Sequence, residues 1–170
     1  MKKLLVVVDY QHDFIDGSLG FDGAKSLAPL IKARIEETLQ HGGDVVFTRD
    51  THDENYLNTQ EGSKLPIKHC IKGTHGWEIE ESLTQYASHV FDKPTFGSLE
   101  FGVWLNTQTY DEVELCGLVS NICVLSNAVL SKAALPEARI VVDHTLTASF
   151  DEKRHTEVLS ILEGIQVEVI

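Results

Sequence analysis

The chain has 170 residues, which is enough for one domain with a substantial hydrophobic core. Its formal net charge of −12 argues against a nucleic-acid or membrane partner, because both kinds of partner select clustered Lys and Arg. Three cysteines without a CxxC pair are typical of a cytoplasmic protein rather than of a disulfide framework.

Short apolar runs alternate with helical patterns along the chain. The first run, Lys3–Val8, is too short for a secretory core or a membrane span and predicts a buried strand. The other predicted strands cover residues 44–48, 89–92, 112–116, 139–142 and 166–170. Helices are predicted at residues 27–39, 78–87, 100–107, 121–135 and 151–162.

This alternation, with strands that are apolar on both faces, is typical of a parallel sheet between helices. We therefore predict an α/β three-layer sandwich, in which a mostly parallel six-stranded sheet is covered by helices on both faces. The whole chain, residues 1–170, is expected to form a single domain. In such sheets the site lies beyond the carboxyl ends of the strands, where Asp9, Asp50, Lys93 and residues 117–123 fall.

Cys123 lies between a predicted strand and a predicted helix. Gly117 permits a sharp turn, and Ser120 or Asn121 is a good helix N-cap. A thiol in a first helical turn faces the positive end of the helix dipole, which favours the thiolate, and free N–H groups there can bind an oxyanion. Position alone does not decide between a reactive cysteine and a buried structural one.

The predicted helix separates into two faces. The apolar line, which we expect to be buried, consists of Ile122, Leu125, Val129 and Ala133. Cys123 lies instead on a more polar side, with Ser126, Asn127 and Leu130.

Asp9 and Lys93 each have an ordinary explanation when considered alone. Asp9 follows five apolar residues and is typical of a turn or helix cap, whereas a single lysine is usually a solvated surface group. Together with a thiol the two make chemical sense. The Lys93 cation lowers the pKa of the thiol, and Asp9 accepts its proton and returns it to a leaving amine.

Five segments in order make the chain similar to a known family. They are residues 8–14 (VDYQHDF), 49–52 (RDTH), 66–74 (PIKHCIKGT), 93–98 (KPTFGS) and 117–124 (GLVSNICV). The chain resembles the isochorismatase-like cysteine hydrolases, and within them the nicotinamidase/pyrazinamidase branch, over nearly its whole length. The resemblance implies a catalytic triad of Asp9, Lys93 and Cys123. It also implies a cis peptide between Leu118 and Val119, with the N–H groups of Val119 and Cys123 as the oxyanion hole.

A metal site is suggested separately by the long segment between residues 49 and 76. Asp50 and His52 are two residues apart, so in an extended chain their side chains point the same way, and His69 offers a third ligand. Nicotinamidases bind a divalent ion with matching residues, which implies Zn²⁺ here, with Mn²⁺ or Fe²⁺ as alternatives. The family has a fourth ligand, a His or a Glu, between the two histidines. Glu61, eight residues before His69, is the candidate for it here, although its spacing differs slightly from the family pattern.

The substrate pocket departs from the family pattern. Residues 64–69 (KLPIKH) carry no aromatic residue, where nicotinamidases usually have one beside the substrate ring. Phe14 is expected to form one wall, and Tyr10 or Phe96 the second.

The leading hypothesis is thus a metal-assisted cysteine amidase that hydrolyses nicotinamide in NAD salvage. A rival keeps the triad but acts on another small amide, an N-carbamoyl compound or a ureido acid. A remote alternative is a phospho-receiver domain with Asp50 as acceptor, while a dinucleotide-binding module is disfavoured because no GxGxxG follows the first strand. The resemblance makes a homo-oligomer possible.

Overall fold

The computed structural model describes all 170 residues and contains one six-stranded sheet. Every neighbouring pair of strands is parallel, in the order β3-β2-β1-β4-β5-β6, which confirms the predicted sheet. The strands are β1 (Lys3–Val8), β2 (Asp44–Asp50), β3 (Val90–Lys93), β4 (Glu112–Leu118), β5 (Arg139–Ala148) and β6 (Glu168–Val169).

Seven α-helices accompany the sheet. They are α1 (His12–Ile15), α2 (Leu27–Gln40), α3 (Gln60–Lys64), α4 (Glu81–Thr84), α5 (Leu99–Leu105), α6 (Leu125–Ala134) and α7 (Glu152–Gly164). Apolar residues of α2 and α4 pack on one face of the sheet, and those of α5, α6 and α7 pack on the other. The sheet thus separates two hydrophobic cores, as a three-layer sandwich requires. None of the helices has the length and apolar character needed to span a membrane.

The central strands show why the sequence folds in this way. Every residue of β4 is buried, and so are the last five residues of β1. Strands covered on both faces need apolar side chains on both faces, and the run Leu4–Val8 supplies them.

The structure corrects three predicted elements. β5 continues to Ala148 instead of ending at residue 142, because its polar second half is paired with β4 beyond a bulge. The helix predicted at residues 78–87 is reduced to α4, because Glu80 N–H bonds to Tyr10 C=O and keeps the preceding chain extended. The last strand is shortened to two residues.

The helix that follows β4 also differs from its prediction. It begins with a π-helical turn over Ser120–Val124, and neither Ser120 nor Asn121 caps it; the Ser120 hydroxyl instead contacts His155 Nδ1 at 2.9 Å. The predicted buried face is wrong as well, because Val129 is 46 % exposed. The buried face contains Cys123, Val124, Asn127, Ala128 and Ser131.

The long segment after β2 is folded despite its weak pattern. It contains 3₁₀ turns at Tyr56–Asn58 and His75–Trp77, with α3 between them. His52 pairs with the chain near Ile71, because its N–H donates to Cys70 C=O and its C=O accepts from Lys72 N–H. This pairing brings two histidines of the segment, His52 and His69, to the sheet edge.

Candidate active site

The carboxyl ends of four parallel strands converge on one site. β1 ends immediately before Asp9, β2 ends at Asp50, β3 ends at Lys93, and β4 leads through a tight turn to Cys123. Asp9 itself has a positive φ of 46°, which turns the chain away from the strand direction. Parallel strands deliver polar residues to one edge in this way, so residues far apart in sequence become neighbours.

Lys93 lies at the centre of the predicted triad. Its ammonium nitrogen is 2.6 Å from Asp9 Oδ2 and 3.7 Å from Cys123 Sγ. It also donates to Thr95 C=O at 2.9 Å and lies 3.5 Å from Asp50 Oδ1. Only 1 % of Lys93 is exposed, so this buried cation balances two buried carboxylates.

The ionisation of Lys93 follows from these contacts. Burial alone lowers the pKa of an ammonium group, but Asp9, the Cys123 thiolate and Asp50 together raise the pKa of Lys93 well above its ordinary value. Lys93 therefore stays charged and acts as a fixed positive group rather than as a base.

Asp9 is fully buried and held by a second donor. The Thr48 hydroxyl donates to Asp9 Oδ1 at 2.7 Å. Burial raises the pKa of Asp9, and Asp50 adds to this effect, while Lys93 and Thr48 oppose it. A carboxylate with a raised pKa is a better proton acceptor than an exposed aspartate, which suits a general base.

Cys123 lies in the π-helical turn and is 6 % exposed. Burial raises the pKa of its thiol well above the ordinary value, and Lys93 only partly offsets this effect. The expected thiolate-favouring effect of a helix start is therefore outweighed by desolvation. Cys123 consequently needs a base within the site, and Asp9 is bound to the same ammonium group.

The turn between β4 and Cys123 has an unusual backbone. The Leu118–Val119 peptide bond is cis, and Gly117 has a φ of 105°. A Cβ at Gly117 would lie 2.1 Å from Val8 C=O, so only glycine fits there. The Val119 N–H donates to no backbone or side-chain acceptor, and Val119 lines the same cavity as Cys123. It is thus free to bind a substrate oxygen.

Asn127 fixes this turn from the next turn of helix and was not anticipated as a site residue. Its side-chain amide donates to Cys123 C=O at 2.8 Å and to Phe96 C=O at 3.2 Å, and its oxygen accepts from Ser98 N–H at 3.0 Å. Asn127 is fully buried. The sequence analysis missed its role because it assigned Asn127 to the polar side of the predicted helix.

Beside the triad, Asp50, His52 and His69 form a compact cluster. Asp50 Oδ2 is 3.1 Å from His52 Nε2 and 3.4 Å from His69 Nε2. Glu61 Oε1 lies 3.7 Å from each of these two nitrogens. The structure thus brings Glu61 to the three residues despite its irregular spacing, because α3 begins just before it.

The donor set of this cluster fits a divalent transition metal. His69 Nδ1 lies 2.8 Å from Ile67 C=O, so it carries the proton and leaves Nε2 free to bind a metal. Lys93 and the two histidines hold the pKa of Asp50 well below its ordinary value and so keep it anionic. Two imidazoles with carboxylates favour Zn²⁺, Fe²⁺ or Mn²⁺ over Ca²⁺.

Gln11 positions the Asp50 backbone. Its amide oxygen accepts from Asp50 N–H at 2.7 Å, and its amide nitrogen donates to Asp50 C=O and to Trp77 C=O, both at 2.9 Å. Sequence reasoning did not assign a role to Gln11, although its place in the DYQHDF segment was visible.

A cavity of about 370 Å³ opens onto both groups. Its lining includes Cys123, Val119, Asp50, Glu61 and His69 from the two clusters, and the apolar side chains Phe14, Leu19, Leu65, Phe96, Ile122 and Phe150. Phe14 and Phe96, the two predicted pocket walls, both line this cavity. Leu65 lines the cavity within the segment that lacks the family's aromatic residue.

Tyr10 does not line this cavity, so its prediction as a pocket wall is wrong. Its ring is fully buried in the core and its hydroxyl donates to Ala24 C=O at 2.7 Å. Phe150 supplies an aromatic wall that sequence reasoning missed. Because β5 was expected to end at residue 142, the position of Phe150 just beyond the carboxyl end of a strand was not visible.

Comparisons with known proteins agree with this geometry. The isochorismatase domain model matches residues 3–170. A nicotinamidase/pyrazinamidase from Mycobacterium tuberculosis is 29 % identical over 88 % of this chain and 89 % of its own. The structure of the nicotinamidase/pyrazinamidase PncA from Bacillus subtilis is 27 % identical, covers 99 % of both chains and superimposes with a TM-score of 0.86.

A pyrazinamidase of Pyrococcus horikoshii, solved in complex with zinc, has the same fold, with a TM-score of 0.87, 21 % identity and coverage of 100 % of this chain and 99 % of its own. Neither the receiver-domain nor the dinucleotide-binding alternative is supported by these matches. The chain belongs to the isochorismatase family.

Proposed function

We propose that this chain is a metal-assisted nicotinamidase, which hydrolyses nicotinamide to nicotinic acid and ammonia. The observation that carries the proposal is the meeting of Cys123, Lys93 and Asp9 beside a histidine-rich cluster, with Cys123 and His69 lining the same cavity. The nicotinamidases among the relatives support the substrate class. The ordinary activity of such an enzyme serves NAD salvage, and we place it in the cytoplasm.

In the first step Asp9 takes the proton of the Cys123 thiol, and the sulfur attacks the carboxamide carbon. Lys93 keeps its charge and stabilises the forming thiolate from 3.7 Å. The N–H groups of Val119 and Cys123 bind the oxyanion, each contributing roughly 3 kcal/mol if they match oxyanion-hole donors elsewhere. Asp9 then gives its proton to the departing ammonia, and a thioester on Cys123 remains.

In the second step a water molecule attacks the thioester carbonyl. Asp9 removes the proton of the water, so over the whole cycle the carboxylate acts twice as a base and twice as an acid. The tetrahedral intermediate collapses and expels the Cys123 thiolate, which regains its proton from Asp9. Nicotinic acid then departs. Atoms balance: one water enters, and one acid and one ammonia leave.

Asp50, His52, His69 and Glu61 would hold the ion. When bound, it would supply a docking point for the ring nitrogen of the substrate. We propose Zn²⁺, with Mn²⁺ or Fe²⁺ as alternatives; the zinc complex of the pyrazinamidase from P. horikoshii supports the first choice. The apolar walls of Phe14, Phe96 and Phe150 suit a flat aromatic ring in a cavity of about 370 Å³.

A second candidate keeps the mechanism and changes the substrate to another small amide or N-carbamoyl compound. It is favoured by Leu65, which lines the cavity where a second aromatic wall is usual. A panel that compares nicotinamide, pyrazinamide and aliphatic amides by kcat/KM decides between the two, because only the first candidate predicts a preference for heteroaromatic rings.

Mass spectrometry of the acyl-enzyme tests the nucleophile and the substrate together. We expect acid quenching during turnover to trap a nicotinoyl adduct on Cys123, while Cys70 and Cys116, both buried, stay unmodified as internal controls. Cys123→Ala is expected to abolish ammonia release with the fold intact, and chelation of the ion to reduce turnover. Full activity of Cys123→Ala would refute the proposal.

A further inference from the structure

A second group of metal-ligating side chains lies outside the proposed active site. His12 at the start of α1, His75 in a 3₁₀ turn and Glu81 in α4 have donor atoms that all lie within 4.8 Å of one another. His12 Nε2 is 3.3 Å from Glu81 Oε1, and the two imidazole rings stack with centroids 4.0 Å apart. None of these three residues lines the cavity of the active site.

His12 carries a buried ring nitrogen without a hydrogen bond. Its side chain is only 9 % exposed, and its Nε2 forms no hydrogen bond although Glu81 Oε1 lies 3.3 Å away. Buried polar atoms are normally satisfied, so an unpartnered imidazole nitrogen that faces two further donors needs an explanation. A bound cation would satisfy it.

The other ring nitrogens face carboxylates. His12 Nδ1 is 3.7 Å from Asp16 Oδ1, and His75 Nδ1 is 3.4 Å from Glu78 Oε2. Metal-binding histidines commonly direct their second nitrogen toward a carboxylate, which fixes the tautomer and leaves Nε2 as the ligand atom. Both histidines of this cluster have a carboxylate near Nδ1.

The backbone holds the donors in register. His12 N–H donates to Glu78 C=O, and Glu80 N–H donates to Tyr10 C=O, both at 3.1 Å. Gln11 and Ile79 also form an antiparallel bridge. Segments 63 or more residues apart in sequence are thus tied together on either side of the cluster, so little ordering is needed when an ion binds.

We infer that His12, His75 and Glu81 form a second metal site, selective for Zn²⁺ and similar borderline divalent ions. Ligands about 2.05 Å from a tetrahedral Zn²⁺ are about 3.3 Å apart, which matches the His12–Glu81 distance. The side chains of His75 and Glu81 are 69 % and 74 % exposed and can rotate inward, and water completes the coordination. Two imidazoles disfavour Mg²⁺ and Ca²⁺.

Such an ion would stiffen the neighbouring active-site segments. Gln11, next to His12 in sequence, holds the backbone N–H and C=O of Asp50. Asp13, on the other side, accepts from Cys70 N–H at 2.7 Å, immediately after His69. An ion that joins α1 to His75 and Glu81 therefore supports both sides of the catalytic metal cluster without touching it.

Zinc stoichiometry tests this inference without reference to catalysis. Tag-free protein is titrated with ZnCl₂ against a chromophoric chelator, and the parent is compared with His75→Ala, Glu81→Gln and the matched control His144→Ala, which removes another exposed histidine. We expect His75→Ala and Glu81→Gln to weaken one zinc equivalent at least about tenfold, since loss of even an outer partner of a ligand has that effect. His144→Ala is expected to bind as the parent does.

The result is independent of the catalytic ion. If the active site bound no zinc at all, the parent would still bind one equivalent that His75→Ala loses. Zinc binding by His75→Ala and Glu81→Gln that equals the parent in number and affinity would overturn the second site. Circular dichroism in the presence of chelator checks that the exposed substitutions leave the fold unchanged.

Discussion

The hydroxyl of Thr48 offers a direct test of the role of Asp9. Thr48 is fully buried in β2 and donates to Asp9 Oδ1 at 2.7 Å. Thr48→Val keeps the shape of the side chain and removes only this donor. The carboxylate then keeps Lys93 as its partner but loses a neutral hydrogen bond that favours the charged form.

The size and sign of the effect follow from this contact. A hydrogen bond to a charged group contributes about 1.5–3 kcal/mol, which corresponds to roughly 10- to 100-fold in rate at pH values below the pKa of Asp9, where the ionised fraction limits the rate. Burial already raises the pKa of Asp9. Thr48→Val raises that pKa further, so the acid limb of the kcat/KM profile moves to higher pH.

The free energy of unfolding of Thr48→Val should also depend on pH. The lost bond matters most when Asp9 is charged, which is above its pKa, and least when the carboxyl is protonated at lower pH. We therefore expect the free energy of unfolding of Thr48→Val to fall furthest below that of the parent at neutral and alkaline pH. The difference shrinks as the pH falls through the pKa of Asp9.

The assay is ammonia release from nicotinamide between pH 4 and pH 9, with urea unfolding at the same pH values. Thr38→Val is the matched control, because the Thr38 hydroxyl is also buried but has no hydrogen-bond partner. We expect that variant to be as stable as the parent or more stable, with an unchanged pH profile. Identical acid limbs for Thr48→Val and the parent would refute Asp9 as the proton acceptor.

Three further substitutions test the electrostatics, the metal cluster and the backbone. Lys93→Met leaves two buried carboxylates without their cation and should lower the free energy of unfolding by about 3–5 kcal/mol at pH 7; a loss below 1 kcal/mol in urea unfolding would contradict this balance of charges. Glu61→Gln should weaken metal binding at the active site at least about tenfold in chelator competition, whereas Glu54→Gln, at an exposed position, should not; equal affinities would exclude Glu61 as a ligand. Gly117→Ala should destabilise the fold by more than about 2 kcal/mol, because Gly117 has a positive φ and a crowded Cβ position. Gly164→Ala, with open space around the added Cβ, should stay within about 0.5 kcal/mol of the parent. Similar melting temperatures for the two variants would argue against backbone strain at Gly117.

The sheet and much of the site could be predicted from sequence because they depend on local signals. Buried parallel strands are continuous apolar runs, and the run before Asp9 marks both the strand and its carboxyl end. The edge of a parallel sheet then explains why Asp50 and Lys93, on neighbouring strands, lie close to Asp9. The strand order β3-β2-β1 is the one long-range fact that this explanation needs.

The rest depends on contacts that a single sequence does not display. The polar second half of β5 is a strand because it pairs beyond a bulge, and its length decides where Phe150 lies. Tyr10 resembles a pocket aromatic in sequence, yet its hydroxyl finds Ala24 C=O in the core. Val129 continues an apolar line but faces outward, because the buried bonds of Asn127 set the rotation of α6.

The Gln11 amide meets the backbone of Asp50 edge to edge, in the manner of a nucleobase pair, because it accepts from the Asp50 N–H and donates to the Asp50 C=O. Glutamate at this position would repel the Asp50 carbonyl, and lysine would have nothing to accept the N–H, so a neutral amide is the side chain that matches both backbone polar groups of Asp50. Gln11 also adds no charge beside the Asp50 carboxylate. A neutral side chain thus fixes the backbone position of Asp50, and exchange of Gln11 for another neutral residue would release Asp50 without adding charge to the site.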